Sequence, residues 1–176
     1  MAPHQKPDMR IFRGHFSLDE ISLRKIFMVQ LNSIFCVKQH LLKYLPTLIE
    51  RASFNDLKNA IIENIDDIKI QLLRMEAMYQ LLHETYSPHK CLGIKSITLE
   101  AFITNRDLHL SDLENDLTML IHLRTLENIE ITCFEVMHDI AAALPNKELD
   151  MMLKQNLDMA KDSQRLYKLI TKEYLH

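Results

Sequence analysis

The chain has 176 residues, enough for one domain with a buried core, and its formal charge of −3 gives no concentrated basic face for nucleic acid. Apolar residues make up 47% and charged residues 26%, an ordinary globular balance, and no apolar run approaches the roughly 20 residues of a membrane span. Only Gly14 and Gly93 are glycine, so positive-φ turns are scarce and long helices with few connections are expected in place of a sheet.

Residues 1–16 hold Pro3, Pro7 and Gly14 without periodicity and read as a mobile arm; residues 17–176 read as a single domain. Lys6, Asp8, Arg10 and Arg13 leave no apolar stretch of the kind a secretory signal needs. The first helix is expected to open at Ser17, with Glu20 completing a capping box. Its stripe runs Phe27, Leu31, Ile34, Leu41, Leu45, Leu48, at the alternating spacing of three and four that marks a packed bundle helix. Pro46 removes one internal hydrogen bond and predicts a kink.

A second helix is expected from after Ser53 to about His83, on the stripe Ile61, Ile65, Ile68, Leu72, Met75, Tyr79, Leu82. Residues 86–89 form a loop, and a short helix over about 92–104 carries Leu99, Phe102 and Ile103. The third long helix opens at Ser111 with Glu114 as its capping partner and stops before Pro145. The last is capped by Asn146 and reaches Tyr174. The fold class is therefore all-α, an antiparallel four-helix bundle with one short extra helix between bundle helices 2 and 3.

Two charges interrupt the stripes. Lys38 lies between Ile34 and Leu41, and Glu130 interrupts Met119, Leu123, Leu126, Cys133, Met137, Ile140 and Leu144. Leaving a buried ion unpaired costs several kcal/mol. Either these side chains snorkel to water, as a lysine stem allows, or they meet partners inside the bundle. The partners at hand are Asp67, three residues after Asn64, and Glu127, three before Glu130, with Arg124 one turn earlier. A central cluster of Lys38, Asp67, Glu127 and Glu130 is the sharper of the two readings.

Several segments resemble the YciE/YciF-type stress proteins. They are Ser22-Leu23-Arg24-Lys25-Ile26-Phe27, Gln39 to Pro46, Gln71 to Glu76, Lys90-Cys91, and Glu127-Asn128-Ile129-Glu130-Ile131, in an order and spacing that span about 22–172. The resemblance implies a ferritin-like bundle, often dimeric, with a di-iron site and a role in stress responses. It also assigns ligand positions, and most are altered here. The family's first-helix glutamate falls on Lys38, its second-helix histidine on Asn64, and the following carboxylate on Asp67. The third-helix Glu-x-x-Glu is kept as Glu127 and Glu130, while the histidine between them is Asn128. The last-helix glutamates fall on Met159 and Ala160. Iron is held by deprotonated carboxylates and neutral imidazoles, and a lysine ammonium repels it.

The reading is a metal-free, stress-associated bundle without a cofactor that acts by self-association, as a homodimer, or by binding a protein partner. No catalytic residue is assigned, and neither nucleic acid nor membrane is expected as a partner. The alternative is a residual metal protein holding iron or manganese on Asp67, Glu127 and Glu130, with weak oxidase chemistry. A third reading, a small-molecule binder using the polar space left by the irons, stays open.

The other chemistry-bearing residues point to nothing specific. Histidines His83, His89 and His109 fall near helix ends, where capping and surface roles prevail, and His122 and His138 are too far apart to share a site. No catalytic or phosphate-binding motif occurs. Cys36, Cys91 and Cys133 match neither a disulfide framework nor a zinc spacing, so a cytoplasmic protein with reduced thiols is expected, with Cys133 on the core stripe.

Overall fold

The computed structural model describes residues 18–87 and 110–175, so the expected arm, the 92–104 helix, His89, Cys91 and His109 lie outside the described residues. Four helices form the described fold: α1 Glu20–Arg51, α2 Asn55–Leu81, α3 Asp112–Ala142 and α4 Lys147–Glu173.

Helix α1 starts later than the Ser17 capping box implies. Its N-cap is Asp19, whose carboxylate accepts from the Ser22 amide at 2.7 Å. A carboxylate there satisfies a free amide and also favours the positive end of the helix dipole. The helix continues through Pro46 to Arg51 without a break. Helix α3 has the expected cap: the Glu114 carboxylate accepts from both the amide and the hydroxyl of Ser111, at 2.8 and 2.7 Å. The Asn146 side chain accepts from the amides of Glu148 and Leu149 at the start of α4.

Helix α2 has no side-chain cap of its own. The turn that leads into it is held from α3 instead. Asp116, fully buried, accepts from the amides of Ser53 and Phe54 at 3.0 to 3.1 Å and from the Tyr174 hydroxyl at 3.1 Å. One carboxylate thereby joins the α1–α2 turn, α3 and the end of α4, and replaces the solvent lost by those amides.

Helix α1 packs on α2 and α3, and α4 packs on the same two, so α2 and α3 face each other across the diagonal. Asn115, at the start of α3, donates to the carbonyl of Arg51 at the end of α1, and Cys133 further along faces Gln30. These helices are antiparallel. By contrast, Asp116 and Glu127 meet Ser53 and Asn64 in the same chain direction, so α2 and α3 run parallel. The end of α2 and the start of α3 therefore lie at opposite ends of the bundle, so these two helices, unlike the α1–α2 and α3–α4 pairs, are related by a crossover and not a hairpin.

The inward residues form one continuous core that includes Phe27, Leu31, Ile61, Ile68, Phe134 and Met137. On α3 the fully buried position is Phe134. Cys133, expected on the core stripe, is half-buried at its edge, because α3 contacts α1 on one side and α4 on the other and the inward arc is wider than a single heptad seam. The expectation of reduced thiols is also corrected: Cys133 is free but Cys36 is disulfide-bonded.

Candidate functional site

Lys38 is four residues after Ile34 and three before Leu41, both buried, so helical spacing turns it inward. Its side chain is 1% exposed and its ammonium group pairs with the Glu130 carboxylate of α3, itself 1% exposed. The same ammonium lies 5.8 Å from the centre of the Phe134 ring, whose negative face adds attraction. Glu130 has a second oxygen, Oε1, that is buried without a partner.

One turn earlier on α3, buried Glu127 accepts from Asn64 Nδ2 of α2 at 2.8 Å. Burial, then the charge of Glu130, pushes the Glu127 carboxyl up to about 8, against the pull of Lys38 and Asn64. At neutral pH it is largely protonated, so the two glutamates do not repel as a pair of anions. Asp67, one turn after Asn64, is half-buried. Desolvation and then Glu63 raise its pKa, while the Lys38 charge and a hydrogen bond with Ser163 oppose that. From α4, Tyr167 brings a phenol that is 1% exposed and has no hydrogen-bond partner. Burial, then the charges of Glu127, Glu130, Asp67 and Glu63, hold that hydroxyl protonated.

Four helices thus bring Lys38, Asn64, Asp67, Glu127, Glu130 and Tyr167 into one electrostatic cluster. The other positions singled out from the sequence stand apart or add nothing polar. Asn128 is exposed, because one residue along α3 is about 100° of rotation away from Glu127. Ala160 is buried and supplies only a methyl group. Met159 is half-buried, with its sulfur accepting from Arg74 Nη1 at 2.8 Å. Arg124 leaves its Nε without a partner.

Tyr167 was not anticipated, although it sits seven residues beyond Ala160, two turns along the same helix face. Two neighbouring polar contacts were also missed. Gln71 and Asn156 exchange side-chain-to-carbonyl hydrogen bonds between α2 and α4, at 3.1 and 3.3 Å. Asn32 accepts from the Tyr79 hydroxyl at 3.1 Å and from the Ser87 amide at 2.8 Å. Gln71 follows Asn64 by one heptad, so a polar seam on α2 was visible as a repeat of amide side chains.

Comparison with known proteins fits this geometry. The model of a family described as a domain of unknown function, DUF892, matches residues 22–174. The chain belongs to the DUF892 family. The stress protein YciF of E. coli is 16% identical to this DUF892 chain, with 87% of this chain and 96% of YciF covered and a TM-score of 0.81. YcfI of Rhodopseudomonas palustris, described as a candidate structural protein, is 22% identical over 87% and 97% of the two chains, with a TM-score of 0.78. At these identities the likeness establishes a shared helical-bundle fold, and the expected kinship with YciF-type proteins is borne out. No curated protein matches this DUF892 chain.

Proposed function

We propose that this chain is a metal-free ferritin-like bundle of the stress-associated type, acting by binding a second copy or another protein and not by catalysis. The observation that carries this is the Lys38–Glu130 ion pair, buried at a position where the resemblance expects a metal-ligating carboxylate. A fixed cation there opposes a divalent ion and neutralises a carboxylate that would otherwise ligate it. Three further features support the reading. Glu127 is held largely neutral at pH 7, whereas a ligand carboxylate must be ionised. Asn64 supplies an amide and Ala160 a methyl where the resemblance expects donors. Among the described residues, no group of three or more His, Cys, Asp or Glu side chains is arranged to hold a metal ion.

The single crossover between α2 and α3 is the connectivity of ferritin-like bundles, which supports that kinship. The stress context rests on the description of the E. coli relative. Binding through the surface is consistent with apolar side chains left outside on all four helices, Ile21, Leu73, Ile121 and Leu169 among them.

The test is elemental analysis of the purified chain after exposure to ferrous iron and to manganese, followed by desalting. The expected result is about zero metal per chain. Stoichiometric metal that disappears in Glu130→Ala would replace this reading with the residual metal protein on Asp67, Glu127 and Glu130.

A further inference from the structure

Lys38 and Glu130 meet from neighbouring helices in a place that water does not reach. Both side chains are buried, and the Lys38 Nζ contacts Glu130 Oε2. The flanking residues of α1, Ile34, Val37 and Leu41, are buried too, and the buried Phe134 ring of α3 lies beside the ammonium. Glu130 Oε1 meets no donor. A second buried carboxyl, that of Glu127, stands one turn away on α3, near enough to feel the charges of Lys38 and Glu130. Asn64 Nδ2 of α2 holds it in place at 2.8 Å.

An amine and a carboxyl fixed in one geometry react with an effective molarity of up to about 10⁵–10⁸ M. Keeping two opposite charges out of water carries a desolvation penalty, and a neutral amide does not carry it. Excluded solvent also removes the water that would hydrolyse the product. A neighbouring carboxyl moves protons between the attacking nitrogen and the departing oxygen. All four conditions for condensation are met around this one contact.

We propose that Lys38 and Glu130 join in an intramolecular isopeptide bond that ties α1 to α3. The ammonium first passes a proton to the carboxylate, which leaves an amine facing a carboxylic acid. The Nζ lone pair attacks the carboxyl carbon, Cδ; a C–N bond forms and one C–O bond breaks. The departing hydroxyl takes up a proton released by Nζ, relayed by the Glu127 carboxyl, which gives one proton, accepts another and ends unchanged. One water leaves for each bond made, and nothing is oxidised or reduced. The ion pair is the state of the newly folded chain, and the amide accumulates as that chain stands. The proposal shares the Lys38–Glu130 contact with the metal-free reading and goes beyond it: a chain with neither metal nor amide would leave that reading standing and end this one.

The test is the intact mass of the full chain, incubated at physiological temperature, sampled over days and read under reducing, denaturing conditions. A species lighter by one water is expected, present at the first sampling or growing in with time. Its proteolysis is expected to yield a branched peptide that joins the segments holding Lys38 and Glu130. Lys38→Arg keeps a cation opposite Glu130 but offers no nucleophilic amine, and it is expected to keep its full mass. Glu127→Gln retains an acceptor for Asn64 and is expected to slow the water loss by about a hundredfold or more. An intact mass that stays at the full value throughout overturns the proposal. So does a water loss that persists in Lys38→Arg, or one that maps to another pair of residues.

Discussion

Replacing Lys38 by methionine keeps an unbranched stem of similar length and removes the cation facing Glu130. Glu130 then sits in the core with one oxygen already unpartnered and with Glu127 one turn away. It has two options: to remain charged and uncompensated, or to take up a proton. The second is the cheaper. Holding a carboxyl of ordinary pKa protonated at pH 7 costs about 3.5 kcal/mol, in line with the roughly 3 to 5 kcal/mol lost when one partner of a buried ion pair is deleted. The folded-state pKa of Glu130 in the variant is raised above its unfolded value, so the destabilisation is absent below the unfolded carboxyl pKa and grows as pH rises. Urea unfolding followed by circular dichroism at pH 4.5 and pH 7.5 reads both the size and the slope. The companion variant Lys38→Met with Glu130→Leu removes both charges and is expected to recover most of the loss, because a well-packed apolar pair is often as stable as the ion pair it replaces. A Lys38→Met protein within about 1 kcal/mol of wild type at pH 7.5 would overturn this expectation, since that outcome requires water or another cation to reach Glu130.

Glu127→Gln keeps an acceptor for Asn64 and removes a titrating group. The folded Glu127 carboxyl is pushed up to about 8 from its ordinary 4.5, so the wild type is expected to lose stability as pH climbs through that window, and the variant to show a shallower slope in the same urea series. Asp67, also raised, contributes with the same sign and leaves part of the slope in place. Asp116→Asn puts an amide donor against the Ser53 and Phe54 amides and removes the charge that strengthens both contacts; a loss of about 2 to 3 kcal/mol in unfolding free energy is expected. Peptide mapping without reductant is expected to find Cys133 alkylated and Cys36 protected, and reduction to expose Cys36.

The helical architecture was legible because apolar residues recur at three and four over four long stretches and capping residues stand at Ser111 and Asn146. The Lys38 and Glu130 positions were legible for the same reason: a charge within an apolar stripe is conspicuous. What escaped was tertiary in origin. The turn that leads into α2 is held by Asp116, 63 and 62 positions from the Ser53 and Phe54 amides it serves, and a local capping pattern cannot display it. Asp116 itself extends the α3 stripe back by one turn from Met119, so its burial had a signal, whereas its partners had none. The phenol of Tyr167 packs like any aromatic core residue, and only its position among carboxylates from two other helices gives it chemistry. Asn128 shows the reverse limit. Its place within a Glu-x-x-Glu segment suggests membership of the site, and helical rotation carries it to the surface.

On the proposed reading, Lys38 has taken the place of a metal ligand. An ion that binds the folded chain and not the unfolded one must raise the unfolding midpoint, by an amount that grows with its concentration over its dissociation constant. The direct measurement is therefore the urea midpoint of the wild-type chain with and without millimolar manganese, beside Glu130→Ala. No shift is expected in the wild type. A midpoint that rises with manganese in the wild type, and not in Glu130→Ala, would contradict it.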